Sequence, residues 1–149
     1  MNNKNEGLNQ MKEQLVNFET AKLAKEKGFD EETYAFYNSA KDLINPLQSH
    51  KGNEHVNHII LSKYNSSKAY DSLTRKDATI YAAPTQSLLK KWLRDVHNII
   101  VFVNPYPTTY SWVMQYNNRK DKTVGDLYNS YETALEEGLI EGLKIINYE

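Results

Sequence analysis

The chain contains no cysteine, which excludes a disulfide framework, a zinc knuckle, iron–sulfur ligation and a thiol nucleophile. It also has no run of about 18 apolar residues, the minimum for a membrane-spanning helix. The asparagine-rich stretch from Met1 to Gln10 lacks the apolar centre of a secretion signal. A soluble, cytoplasmic protein with no membrane association is expected. Six glycines are scattered along the sequence without forming a phosphate cradle, and there is no Walker loop, dinucleotide fingerprint or Gly-x-Ser-x-Gly elbow. These absences leave no constellation for an enzyme and no motif for a cofactor.

What is present is the composition of one globular domain: 149 residues, 25% charged and 40% hydrophobic. A domain of this size buries roughly two thirds of its unfolded surface without covalent staples. Residues 1–10 read as a flexible leader and 11–149 as a single domain. The net charge of −1 conceals a division, because residues 1–50 carry 6 basic and 8 acidic side chains, residues 51–122 carry 11 and 5, and residues 123–149 carry 1 and 6. A cationic middle lies between acidic flanks, which fits either an anionic partner or internal complementarity.

The apolar spacing from Met11 to Lys27 predicts a helix with Gly28 at its left-handed end and Phe29 folding back. Tyr34 to Tyr37 reads as a strand, residues 40–77 as a loop or insertion with a strand near Val56 to Tyr64, and Thr79 to Ala82 as another short strand. Pro84 then opens a helix with the stripe Leu88, Leu89, Trp92, Leu93 and Val96. The β-branched run Ile99 to Val103 predicts a buried strand, paired across a loop of about six residues with Tyr110 to Tyr116. Ser130 is a good N-cap for a last helix reaching Ile146, in which Gly138 and Gly142 mark a close backbone approach. The class is α+β: a small, mainly antiparallel sheet covered on one face by about three helices.

His50, Glu54, His55 and His58 have ligating side chains, but their spacing matches no catalytic zinc signature, and no metal is expected. His97 reads as a charged cap at a helix C-terminus. Glu132, Glu136, Glu137 and Glu141 read as one solvated stripe. Binding has more behind it. The chain holds eleven tyrosines and two tryptophans, side chains that offer stacking area and a polar edge. Lys90, Arg94, Tyr106, Tyr110, Trp112, Arg119 and Lys120 put aromatics beside cations, the combination that holds a base and its phosphates. Core packing of the alternate aromatics is the competing account. An extended nucleic acid is not expected, because the last helix begins with Asp126, Glu132, Glu136 and Glu137, which repel phosphates.

The segments FETAKLAKEKGFDEE (Phe18 to Glu32), APTQSLLKKWLRDVHNI (Ala83 to Ile99) and YNSYETALEEGLIEGLKII (Tyr128 to Ile146) together resemble a family of small uncharacterised proteins encoded by gut phages and prophages. The resemblance implies an accessory protein acting in the cytoplasm of an infected bacterial host, and it transfers no catalytic or binding residue. With the cation–aromatic set, the expected function is non-catalytic sequestration of a small anionic, nucleotide-like ligand such as a host immune signal. The alternatives are a protein-interaction module that inhibits or redirects a host protein through the acidic last helix or residues 40–77, a structural accessory protein, and a hydrolase with an unrecognised site. The Gly138 and Gly142 ridge alternatively supports a homo-oligomer.

Overall fold

Residues 14–16 do not continue the first helix. They run extended beside residues 84–86: Val16 N–H donates to the Pro84 carbonyl at 3.0 Å, Gln86 N–H donates to the Gln14 carbonyl at 2.8 Å, and Leu15 faces Thr85 in an antiparallel bridge. The structure, a computed structural model, describes residues 13–46, 61–67, 69–71 and 76–147. The expected leader, the histidine cluster and the first five residues of the expected strand from Val56 to Tyr64 lie outside them.

The bridge sets two helix starts side by side. Helix α1 is Phe18–Glu26, capped by Asn17, whose side chain accepts from Thr20 N–H. It begins well after Met11 because the Gln14 carbonyl and the Val16 N–H bond to the partner segment instead. Its end follows the sequence closely: Gly28 has φ 90°, and Phe29 N–H returns to the Ala24 carbonyl at 2.9 Å. A left-handed residue there costs glycine nothing. Phe29 is then buried edge-on against Trp92, with ring centroids 5.4 Å apart.

Strand β1 (Phe36–Tyr37) lies between β2 (Leu43–Ile44) and β5 (Tyr81–Ala82), antiparallel to both. Between them in sequence come a 3-10 turn, Tyr64–Ser66, and a two-stranded ribbon, β3 (Ala69–Asp71) with β4 (Lys76–Ala78). Tyr64 therefore sits in a turn rather than in a strand.

Helix α2 is Gln86–His97. Thr85 is its N-cap and accepts from Leu88 N–H, so Pro84 precedes the helix instead of opening it. Asn98 closes it in the left-handed conformation, φ 55°. The next sheet has β7 (Tyr110–Tyr116) at its centre, between β6 (Ile100–Pro105) and β8 (Asp121–Val124). Pro105 pairs with Tyr110, so the β6–β7 connection is four residues, 106–109, rather than six. The β7–β8 turn holds Asn117, Asn118 and Arg119 at φ 54°, 57° and 65°.

Helix α3, Tyr131–Lys144, is capped by Ser130, which accepts from Thr133 N–H. It packs across β6 and β7, beside α2 and α1. Its glycines explain that approach: a Cβ on Gly138 would meet Trp112 Cβ and Val101 Cγ1 at 2.8 Å, and one on Gly142 would meet Leu93 Cδ1 at 3.1 Å. The ridge is thus occupied within the chain, which removes the basis for reading it as an oligomer contact. The core gathers Leu89, Leu93, Val101, Leu139 and Leu143, all fully buried, with Trp92 and Trp112. The class is α+β, as the sequence implies, with the strands divided among separate antiparallel sheets.

Candidate functional site

The structure divides the cation–aromatic set read from the sequence: Tyr106 and Tyr110 lie apart from Arg119 and Lys120, whose turn meets the end of α2 where Asn98 Nδ2 donates to Asn118 Oδ1 at 2.8 Å. Trp112 is 7% exposed, with its indole against Gly125 and its Cβ against Gly138, so it is a core residue. Tyr106 and Tyr110 stand at one end of β7, while Arg119 and Lys120 stand in the turn at the other. A seven-residue strand separates those ends, and at about 3.3 Å per residue the gap is roughly 20 Å. On α2, Lys90 is half-buried and Arg94 is exposed, with its Nε 2.8 Å from Asp95 Oδ1. The Arg94 hydrogen bond, joined by one from Lys91, lowers the Asp95 carboxyl to about 2. Arg94 therefore already has an anion.

A different site lies where the three helices begin. Glu136, on the second turn of α3, is 9% exposed rather than part of a solvated stripe. Its Oε1 accepts from Asn17 N–H at 2.8 Å and from the Thr20 hydroxyl at 2.7 Å, and its Oε2 accepts from Gln86 Nε2 at 2.9 Å. Gln86 Nε2 also donates to the Glu132 carbonyl at 2.9 Å. All three donors to the carboxylate are neutral. The start of α1 and the first residue of α2 both point hydrogen-bond donors at the same anion, where the positive ends of helix dipoles favour it. Thr20 and Gln86 are themselves buried.

Around this tie is a cleft of about 320 Å³ lined by Gln14, Leu15, Asn17, Tyr37, Gln86, Glu132, Thr133, Glu136 and Glu137. Three of its lining residues are carboxylates and none is a lysine or arginine. Glu136 is committed to hydrogen bonds, whereas Glu132 and Glu137 make no ion pair among the described residues. Tyr37 donates to the Val16 carbonyl at 2.7 Å. Burial, and then the Glu136 charge, push its hydroxyl above the usual tyrosine range.

A smaller hollow of about 240 Å³ lies at the far end of α2 and α3, lined by His97, Ile99, Tyr116, Asn117, Ile145, Ile146 and Asn147. His97 packs edge-on against Trp92 at 4.6 Å, and its Nε2 is buried without a hydrogen-bond partner among the described residues. Burial lowers its pKa, which favours the neutral ring. The expected charged cap is replaced by the backbone of Asn98, whose N–H reaches the Arg94 carbonyl at 3.1 Å.

Among the described residues no group of three or more His, Asp or Glu side chains is placed to hold a metal ion, and no helix is long and apolar enough to cross a membrane. The buried glutamate was missed because Glu132, Glu137 and Glu141 surround it in sequence. The signal that identifies it is its spacing, since Glu136 stands three and seven residues before Leu139 and Leu143, on the same helical face. Compared with protein-family models, curated proteins and solved structures, the chain matches none.

Proposed function

We propose that the protein is a non-catalytic interaction module that docks on another protein through the end of the fold where α1, α2 and α3 begin. One observation carries this reading: among the described residues the cleft there is lined by three carboxylates and no lysine or arginine, and two of the three, Glu132 and Glu137, make no ion pair with another described residue. Such a face attracts a basic protein surface and repels a phosphate or a nucleotide. The separation of Tyr106 and Tyr110 from Arg119 and Lys120 by the length of β7, the burial of Trp112 and the pairing of Arg94 with Asp95 weigh in the same direction, because a base and its phosphates need aromatics and free cations together. The resemblance to phage-encoded accessory proteins supports a host protein as the target.

The test is affinity capture from bacterial lysate with the wild-type chain and the E132Q/E137Q variant, run beside calorimetric titration with cyclic nucleotides and ADP-ribose derivatives. A protein retained in stoichiometric amount by the wild type, lost from the variant and released by salt is the expected result. Heat on nucleotide addition, with the ligand recovered intact, would replace this reading with sequestration of a small anion. Recovery of ligand fragments would make the protein a hydrolase.

A further inference from the structure

We infer that the turn end of the β6–β7 hairpin, beside the first turn of α3, seats an arginine-bearing segment of the partner; this rests on the interaction reading above and assigns it a second contact. Tyr110 anchors the place. Its N–H donates to the Tyr128 carbonyl at 2.8 Å, and Tyr128 N–H returns to the Tyr110 carbonyl at 2.7 Å, so the segment before α3 is strapped to the hairpin. The Tyr110 ring meets the Tyr131 ring edge-on, with centroids 6.2 Å apart. Tyr106 follows Pro105, the residue opposite Tyr110, and its N–H is held by the Thr109 carbonyl at 2.8 Å.

The side chains left to solvent here are large: Tyr106 is 48% exposed, Leu127 62% and Tyr131 41%. The strap holds the backbone at Tyr110, and the Tyr110 ring holds that of Tyr131, so this part of the surface is ordered before any partner arrives, which lowers the cost of binding. The charge pattern identifies the occupant. Residues 99–118 carry no ionisable acid or base other than tyrosine, and residues 123–143 carry no lysine, arginine or histidine, so the charges these segments bring are those of Asp126 and Glu132 and of the carboxylates further along α3. Exposed tyrosine rings with carboxylates close to them in the chain, Glu132 next to Tyr131 and Asp126 two residues before Tyr128, complement a guanidinium, which stacks on a ring and gives its N–H groups to an acid. Lysine satisfies the charge alone, and an acidic or phosphorylated segment satisfies neither.

The probe is a short peptide of repeating glycine, serine and arginine, with lysine and glutamate counterparts, added to the isotope-labelled full chain while amide shifts are followed. The arginine peptide is expected to move residues 106–110 and 126–132, more strongly than the lysine peptide, while the glutamate peptide moves none. The Y106S/Y131S variant, changed at two exposed positions, is expected to lose about fivefold or more in affinity with its thermal midpoint retained. Y106S alone serves if Tyr131 proves needed for folding. Shifts confined to residues lining the Glu136 cleft would overturn the tyrosine assignment while leaving the cleft reading intact. No shift with any peptide, or equal shifts with all three, would overturn this inference, and the interaction reading would then be decided by capture with the E132Q/E137Q variant.

Discussion

Replacing Glu136 by alanine removes the acceptor that joins α1, α2 and α3. Three donors lose it together: Asn17 N–H, the Thr20 hydroxyl and Gln86 Nε2, which sat 2.7–2.9 Å from the carboxylate. A buried donor stripped of its partner costs about 1–3 kcal/mol. The cleft beside Glu136 lets water reach part of the gap, and Gln86 keeps the Glu132 carbonyl. The sum therefore falls to about 2–4 kcal/mol, equivalent to a fall of about 6–12 °C in Tm for a domain of this length. E136Q should cost less, about 1–2 kcal/mol, because its amide oxygen still accepts from Asn17 and Thr20 while its NH2 opposes that of Gln86. Urea unfolding of the three proteins measures both values. If E136A unfolds within about 0.5 kcal/mol of the wild type, the carboxylate is not the tie between the helix starts.

Other positions give independent checks. Gly138→Ala pushes a methyl to within 2.8 Å of Trp112 Cβ and Val101 Cγ1 and should cost about 1–3 kcal/mol in urea unfolding. Gly142→Ala meets its nearest neighbour at 3.1 Å, and the gain of about 1 kcal/mol in helix propensity should bring it near neutral; equal effects at the two sites would contradict the packing described. His97 titrates below its ordinary value of 6.5 because burial disfavours its charged form. The unfolded chain thus binds the proton first on acidification, and the stability held above that value is lost as pH falls through the folded pKa. Urea midpoints measured against pH should fall more steeply for the wild type than for His97→Phe, and parallel profiles would refute this. Arg119→Gly relieves a left-handed residue at φ 65° and should raise stability by about 0.5–1 kcal/mol in thermal unfolding; a loss of stability would show that the side chain holds the turn.

The parts of the fold legible in the sequence are those where one local rule acts alone. Tyr110–Tyr116 alternates cleanly, Ser130 caps α3, and Gly28 ends α1, each where expected. The start of α1 was hidden because apolar Leu15 and Val16 fit a helical stripe as well as an extended bridge, and the choice depends on residues 84–86, some 70 positions away. Strand β8 is exposed throughout and carries Asp121, Lys122 and Thr123, so no hydrophobic alternation reveals an edge strand held by the backbone of β7. The aromatic and cationic residues of the expected anion site are divided for a related reason. Nearness in sequence along a hairpin is not nearness in space when the residues sit at opposite ends of one strand.

The proposed interaction pairs the acidic face where the helices begin with a basic protein. The captured partner, titrated calorimetrically against the wild type and the E132Q/E137Q variant at two salt concentrations, tests it most directly. One partner per chain, affinity that weakens as salt rises, and a clear loss in the variant with no change in Tm are expected. Equal, salt-independent affinity for both proteins would contradict it.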